Sequence, residues 1–472
     1  MFNSPSFQKN KIRLNPYFTL NFMEPYMNEP KREQWKSRLG FILATSGASI
    51  GLGNIQRFPY LTAKFGGGLF VLLYLLSVLF LGIPLILNEF AIGRYAKKNP
   101  FAAIKTIKQH GLWKYVGFLG ILVAFFILSY YVVIAGWTLG YVFNLSFGNL
   151  PNLTKFSADS YNVVGCMSLV LLAVVFLVQG GLQKGIERWS KILMPILLIL
   201  LLLLVVRSLS LPNSFEGLAF YFSPNWSDFS PKILLYALGQ AFFSLCVGEA
   251  VLITYGSYAS KNEDLVASGI SVAFFDTLVA LLAGLLIFPA LFSSGKTFEP
   301  GMGLIFEVIP TIFMDLPFGN FIGAAFFLML FFAAFTTCVA LLQMPVAFLS
   351  ESTSWSTKKS TWILGISALL IGIPSALSKG ASEYLTNFRI PFIDEVGIYD
   401  IMDFIWGSLG MVMGGLLLAI FTGWIWGTKQ AVQELQEGCS FFTWQAKIWS
   451  FIIKYLAPII ILAILASVLL GI

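Results

Sequence analysis

The run Gly47-Ala48-Ser49-Ile50-Gly51-Leu52-Gly53-Asn54 sits inside the first long hydrophobic segment, between Leu39-Gly40-Phe41-Ile42-Leu43-Ala44 and Arg57-Phe58-Pro59-Tyr60. Glycine costs a helix about 1 kcal/mol per residue relative to alanine. A backbone polar group left unpaired in hydrocarbon costs several kcal/mol. A helix interrupted here must therefore be surrounded by protein or line a water-filled cavity. The half-helix beyond the break points its first amides at the gap, where they favour a carboxylate. The carbonyls freed below it suit a hard cation. The expectation from this segment is a small polar site at mid-membrane, of the kind a transport pathway needs.

The rest of the chain agrees with a membrane setting. Of its 472 residues 57% are hydrophobic and only 11% charged, against about 25% charged in a soluble domain. Repeated apolar stretches of about 20 residues or more define a polytopic α-helical membrane protein. The formal charge of +7 does not indicate nucleic acid, because most Lys and Arg gather in loops on one side of the predicted topology. Cys166, Cys246, Cys338 and Cys439 make no CxxC and no disulfide framework, and the single His110 excludes a multi-histidine metal site. No cleavable signal peptide is visible. Residues 1–30, polar and aromatic without an apolar core, read as a flexible cytosolic tail.

Spans are predicted near 38–60, 68–93, 115–145, 161–180, 190–210, 232–258, 266–293, 319–349, 360–377, 399–426 and 447–471, eleven in all. Basic residues crowd the tail, the second-to-third connection (Arg94, Lys97, Lys98, Lys105, Lys108) and the fourth-to-fifth (Lys184, Arg188, Lys191). This places the N-terminus in the cytosol and the C-terminus outside. The sixth span carries Gly248 and Glu249 within a polar stretch from Gly239 to Ala250. An ionisable residue at that depth is functional by default; the alternative is a glutamate that ties neighbouring helices together. Interrupted first and sixth spans, in corresponding places of two five-helix halves, point to an inverted repeat with its site at the bilayer midplane. No internal similarity between the halves is visible by eye, so the repeat rests on spacing. The predicted parts are the tail 1–30, a first five-helix repeat 31–210, a second 211–426, and 427–472 with the eleventh helix.

Lys31-Arg32-Glu33-Gln34-Trp35 with Arg38-Leu39-Gly40, then Gly51-Leu52-Gly53-Asn54 and Arg57-Phe58-Pro59, resembles the neurotransmitter:sodium symporter family. The likeness is greatest to its bacterial amino-acid members, typified by the leucine transporter. Gly66-Gly67-Gly68, Gly82-Ile83-Pro84 with Glu89 and Gly93-Arg94-Tyr95, Trp137-Thr138-Leu139-Gly140, Lys184-Gly185-Ile186-Glu187-Arg188 and Thr254-Tyr255-Gly256-Ser257-Tyr258 extend it over about residues 31 to 471. Gly51-x-Gly53 alone would carry no weight, and no strand precedes it, so a dinucleotide-binding turn is excluded. The resemblance implies the leucine-transporter fold: all-α, a 5+5 inverted repeat with helices 1 and 6 broken, and 11 transmembrane helices. Many members have twelve spans.

By the same resemblance two sodium ions bind beside the substrate. Ser49 through its backbone, Asn54, Ser244, Asp276 and the substrate carboxylate would hold the first. Carbonyls of Gly47, Ile50 and Ala333 with the hydroxyls of Thr336 and Thr337 would hold the second. Sodium is a hard cation and such all-oxygen cages suit it, although adjacent threonines in a membrane helix also bond back to the preceding turn. Many members have asparagine at the Asp276 position, and chloride-dependent ones use chloride to balance the sodium charge. Other chloride-independent members carry their acid at the place of Ala280. Asp276 is therefore expected to supply the fixed negative charge here.

The substrate carboxylate would rest on the Gly51–Gly53 amides and on Tyr131, with Phe243 closing over it. Monoamine carriers of the family have an aspartate in place of Gly51; with glycine the carboxylate must come from the substrate, hence an α-amino acid. Its side chain would meet Ala48, Ile127, Phe243, Cys246, Glu249, Thr337 and Leu341. Glu249 replaces an apolar residue of the leucine transporter. Facing the pocket it would suit a cationic or hydrogen-bonding side chain, and turned to the scaffold it would leave an apolar pocket. Arg57 with Asp403 resembles the outer gate pair; Arg32 with Glu351, supported by Trp35, Tyr258 and Gln343, resembles the cytoplasmic one.

The expected activity is sodium-coupled, chloride-independent import of an α-amino acid by alternating access, with a non-transporting sensor of the same fold as the alternative. Sodium is the ion implied, at two sites, no organic cofactor is implied, and no serine–histidine pair or nucleotide loop suggests an enzyme. The partners are the amino acid, sodium and the lipid bilayer; a homodimer is among the assemblies allowed. The loop over 146–160 lacks the paired cysteines of animal members, which places the chain in a bacterial inner membrane.

Overall fold

The computed structural model describes residues 32–295, 301–391, 393–439 and 441–470; the tail expected over 1–30 lies outside them. Residues 1–33 form one unit and 34–472 another, and it is the second that carries the helical body. All regular structure among the described residues is helical.

Nine helices among them are long and apolar enough to cross a membrane: Gly68–Ala96, Lys114–Ser146, Ser160–Val178, Leu182–Leu209, Leu265–Ser294, Gly319–Ser352, Thr357–Leu377, Ile398–Gln436 and Gln445–Leu470. Each overlies a predicted span. The other two predicted spans are the ones expected to be broken, and they consist of shorter pieces. The first is Arg38–Ser49, then Gly53–Arg57 and Phe58–Lys64; the other is Pro231–Ser244, then Val251–Ser257. Starts are set by local chemistry. The Ser37 hydroxyl accepts from the Gly40 amide at 3.1 Å. Ser230 caps Ile233 just ahead of Pro231, a residue that loses nothing at a first helical position.

The two breaks differ in kind. The first is brief: Ile50 turns extended (ψ 105°) and the helix resumes within a few residues. The second is a strained crossing, with Cys246 (φ 51°), Gly248 (φ 92°) and Ala250 (φ 59°) all left-handed. Non-glycine residues in that region cost on the order of 1–3 kcal/mol each and persist only where packing dictates them. Here it does. A Cβ at Gly248 would collide with the Met411 carbonyl, and the Gly248 amide donates to Glu89 Oε1 at 2.7 Å. The helix Ile398–Gln436 and the buried acid of Gly68–Ala96 thus hold the break from two sides.

At the end of Gly68–Ala96 the guanidinium of Arg94, fully buried, donates to Glu434 Oε1 at 2.7 Å. It also donates to the carbonyls of Glu263, Glu434 and Glu437. Lys261 reaches Glu434 Oε2 at 2.6 Å and Glu437 Oε2 at 2.9 Å. This knot joins the loop after the sixth span to the end of the tenth.

Candidate functional site

Where the breaks face each other, a cavity of about 20 Å³ is lined by Ser49, Gly51, Gly53, Ile127, Tyr131, Phe243, Ser244, Cys246, Glu249, Thr337 and Leu341. These are the side-chain and carboxylate positions expected from the sequence, Ala48 excepted, together with Ser49 and Ser244 of the expected first sodium site; the Ala48 carbonyl accepts from Cys246 Sγ at 3.2 Å. Lys114–Ser146 contributes Ile127 and Tyr131, and Gly319–Ser352 contributes Thr337 and Leu341. Those two helices pack against each other and give the breaks a rigid wall.

The amides of the first break already meet acceptors. The Leu52 amide donates to Tyr131 Oη at 2.9 Å, and the Gly51 amide donates to Asn54 Oδ1 at 3.0 Å. Gly51 is glycine for lack of room: a Cβ there would lie 2.5 Å from Tyr131 Oη and 2.8 Å from Thr337 Oγ1. Gly51→Ala is accordingly expected to destabilise the site by about 1–3 kcal/mol through overpacking. Sodium-dependent ligand binding, measured on detergent-purified protein, should fall at least about tenfold while expression holds. Unchanged binding would remove the close approach from the account.

Beside this cavity three oxygens converge on one nitrogen. Asn54 Nδ2 donates to Ser244 Oγ at 2.9 Å, to the Asp276 carbonyl at 3.0 Å and to Asp276 Oδ1 at 2.8 Å. Ser244 Oγ in turn donates to Asp276 Oδ2 at 2.7 Å. All of these groups are buried. A cluster of oxygens from two helices, one of them a carboxylate, facing a side chain of a third, can accept a donor or a hard cation. A second cluster lies on the other side of the first break. Thr337 Oγ1 donates to the Ile50 and Ala333 carbonyls at 3.3 Å, and Thr336 Oγ1 to the Phe332 and Ala333 carbonyls at 3.0 Å. Gly47 faces it, with a Cβ position 3.3 Å from Thr336 Cβ. The back-bonds open to adjacent threonines are thus present, and Thr337 also reaches across to the broken helix.

Above the small cavity lies a larger one of about 500 Å³, which shares Gly53, Tyr131 and Phe243 with it and is lined further by Arg57, Tyr60, Lys379, Asp400 and Asp403. Arg57 and Asp403 both face it, but no ion pair joins them among the described residues. The Arg57 guanidinium instead sits 4.5 Å over the Phe243 ring, a cation–π contact. At the mouth Lys379 pairs with Asp400 at 2.7 Å, a pairing absent from the sequence expectations. At the opposite end of the first broken helix the protein is packed. Trp35 Nε1 donates to the Tyr255 carbonyl at 3.0 Å, and Gln343 Nε2 to Tyr258 Oη at 3.1 Å. Glu351 accepts from the amide and side chain of Asn99, at 2.9 Å each. Arg32 belongs to the separate unit 1–33.

Two buried polar residues here were not given roles from the sequence. Gln240 Nε2 donates to the Gly53 carbonyl at 2.9 Å and so ties the two broken helices together. Glu89 holds the second break through Gly248. A polar side chain in the middle of an apolar span was the available signal for both.

The family model of the sodium:neurotransmitter symporters matches residues 32–169 and 151–471. The chain belongs to that family. It is 36% identical to the uncharacterized sodium-dependent transporter YhdH of Bacillus subtilis over 94% of this chain and 99% of the relative. It is 33% identical to an uncharacterized sodium-dependent transporter of Haemophilus influenzae, over 93% of this chain and 99% of that one. Among solved structures, MhsT in complex with L-phenylalanine matches with a TM-score of 0.84 and 42% identity, over 93% of this chain and all of that one. A symporter of this family is a sodium-dependent, multi-pass membrane transporter and not an enzyme. The leucine-transporter fold, with its broken first and sixth helices, is the architecture found.

Proposed function

We propose that this symporter couples inward movement of an α-amino acid to sodium, without a requirement for chloride. The observation that carries the reading is the oxygen cluster of Ser244 and Asp276 around Asn54, set against the break at Gly51 where a substrate carboxylate would lie. On this reading Ser49, Asn54, Ser244 and Asp276 hold one sodium ion, and Gly47, Ile50, Ala333, Thr336 and Thr337 hold the other. A substrate carboxylate that completes the first shell raises sodium affinity, and sodium raises substrate affinity by the same factor. A lining of Gly53, Tyr131 and Phe243 common to both cavities supports entry past Phe243. Pairing of Arg57 with Asp403 would then close the route, while Trp35, Tyr258, Gln343 and Glu351 serve the cytoplasmic side. The proposed setting is a bacterial inner membrane with the N-terminus in the cytosol.

Thermal stabilisation of the purified protein by each of the twenty amino acids, in NaCl, sodium gluconate and KCl, tests this. The expected result is a shift in both sodium salts and none in KCl. A shift lost in gluconate would end the chloride-independence proposal, and no shift with any amino acid would end the substrate class.

A further inference from the structure

Glu249 is the one acid of the small cavity without a committed role. It is only 4% exposed, it lines the cavity, and its Oε2 has no hydrogen-bond partner. The other polar groups around it are engaged: both Asp276 oxygens with Asn54 and Ser244, the Thr337 hydroxyl with backbone carbonyls, the Cys246 thiol with Ala48. Glu89, the neighbouring buried acid, belongs to the scaffold through Gly248. No Lys, Arg or His nitrogen lies within 4.0 Å of Glu249 among the described residues. A buried carboxyl oxygen left without a partner is costly in any fold. Two further hydroxyls of the lining are also engaged, Ser49 donating to the Thr45 carbonyl and Tyr131 accepting from the Leu52 amide; Ile127, Phe243 and Leu341 make up its apolar part, and an apolar ligand side chain would leave the oxygen unpaired.

We propose that Glu249 determines specificity and selects an amino acid whose side chain carries a hydrogen-bond donor, with a cationic ammonium or guanidinium favoured first. This rests on the amino-acid reading given above. A charged donor ranks first because charge-assisted bonds are shorter and roughly twice as strong as neutral ones. The ligand need not be long. Its α-carboxylate would lie at the Gly51 break, and Glu249 lies within the break of the other helix, so the side chain bridges the two breaks.

The test measures sodium-dependent thermal stabilisation of the full chain by lysine, ornithine, arginine, glutamine and tryptophan against norleucine and leucine. Norleucine matches lysine in length and lacks the ammonium. The wild type should take a donor-bearing side chain at least about tenfold more tightly than norleucine. Glu249→Met should reverse that order, and Glu249→Gln should keep glutamine while losing the preference for cations. Lysine, ornithine or arginine ahead of glutamine and tryptophan supports the cationic ranking. The opposite order keeps the donor rule and overturns the ranking. Equal or tighter binding of norleucine or leucine by the wild type, with the order unmoved in Glu249→Met and Glu249→Gln, overturns the proposal while leaving sodium-coupled amino-acid binding intact. Loss of every response in the wild type would instead overturn the amino-acid reading, and this inference with it.

Discussion

Asp276→Ala is expected to abolish sodium-dependent uptake into proteoliposomes, and Asp276→Asn to leave a weak activity that chloride partly restores. The carboxylate accepts from Asn54 Nδ2 at 2.8 Å through one oxygen and from Ser244 Oγ at 2.7 Å through the other. Alanine removes both acceptors from a buried site, and each polar group left without a partner costs about 1–3 kcal/mol. Two such losses reduce apparent sodium affinity by about a hundredfold or more. Asparagine keeps an oxygen and removes the charge, so it separates coordination from charge balance. Full sodium affinity of Asp276→Asn in gluconate would show that the fixed negative charge is not what this position supplies.

The second large effect concerns stability. Arg94→Met is expected to cost about 3–5 kcal/mol, the range for breaking one partner of a buried pair. Arg94 is fully buried and Glu434 is 2% exposed, so solvent does little to screen the loss. Glu434 would keep Lys261, but the carbonyls of Glu263 and Glu437 would lose their donor. Glu434→Gln should cost less, because a neutral acceptor still faces the guanidinium. The check is the thermal midpoint of each variant in detergent, with ligand binding at low temperature as the control for a native site. An unchanged midpoint in Arg94→Met would mean that the buried pair contributes nothing net.

The two effects separate what the fold needs from what the site needs. Arg94 and Glu434 lock loops at one membrane face, far along the chain from either break. Asp276 sits where the broken helices meet, bonded to Asn54 of one and Ser244 of the other. A variant at the first position should lose protein and keep affinity. A variant at the second should do the reverse.

The sequence by itself determined the membrane class, the places of the spans and the two interrupted helices, because hydropathy and glycine placement act locally. Through the family resemblance it also named the residues around the small cavity, since Gly51, Tyr131, Phe243 and Thr337 stand in recognisable motifs. Tertiary structure alone decided the rest. That Arg57 stacks on Phe243 rather than pairing with Asp403 depends on how the helices that line the larger cavity are packed. That Cys246 and Ala250, neither of them glycine, turn left-handed depends on the helix packed against Gly248. That Gln240 bridges to the Gly53 carbonyl, and that Arg94 meets a partner 340 positions away, depends on which faces the helices present. Local propensity carries no information about such distances in sequence. Only packing chooses which buried polar group finds a partner, and it left the Glu249 oxygen without one.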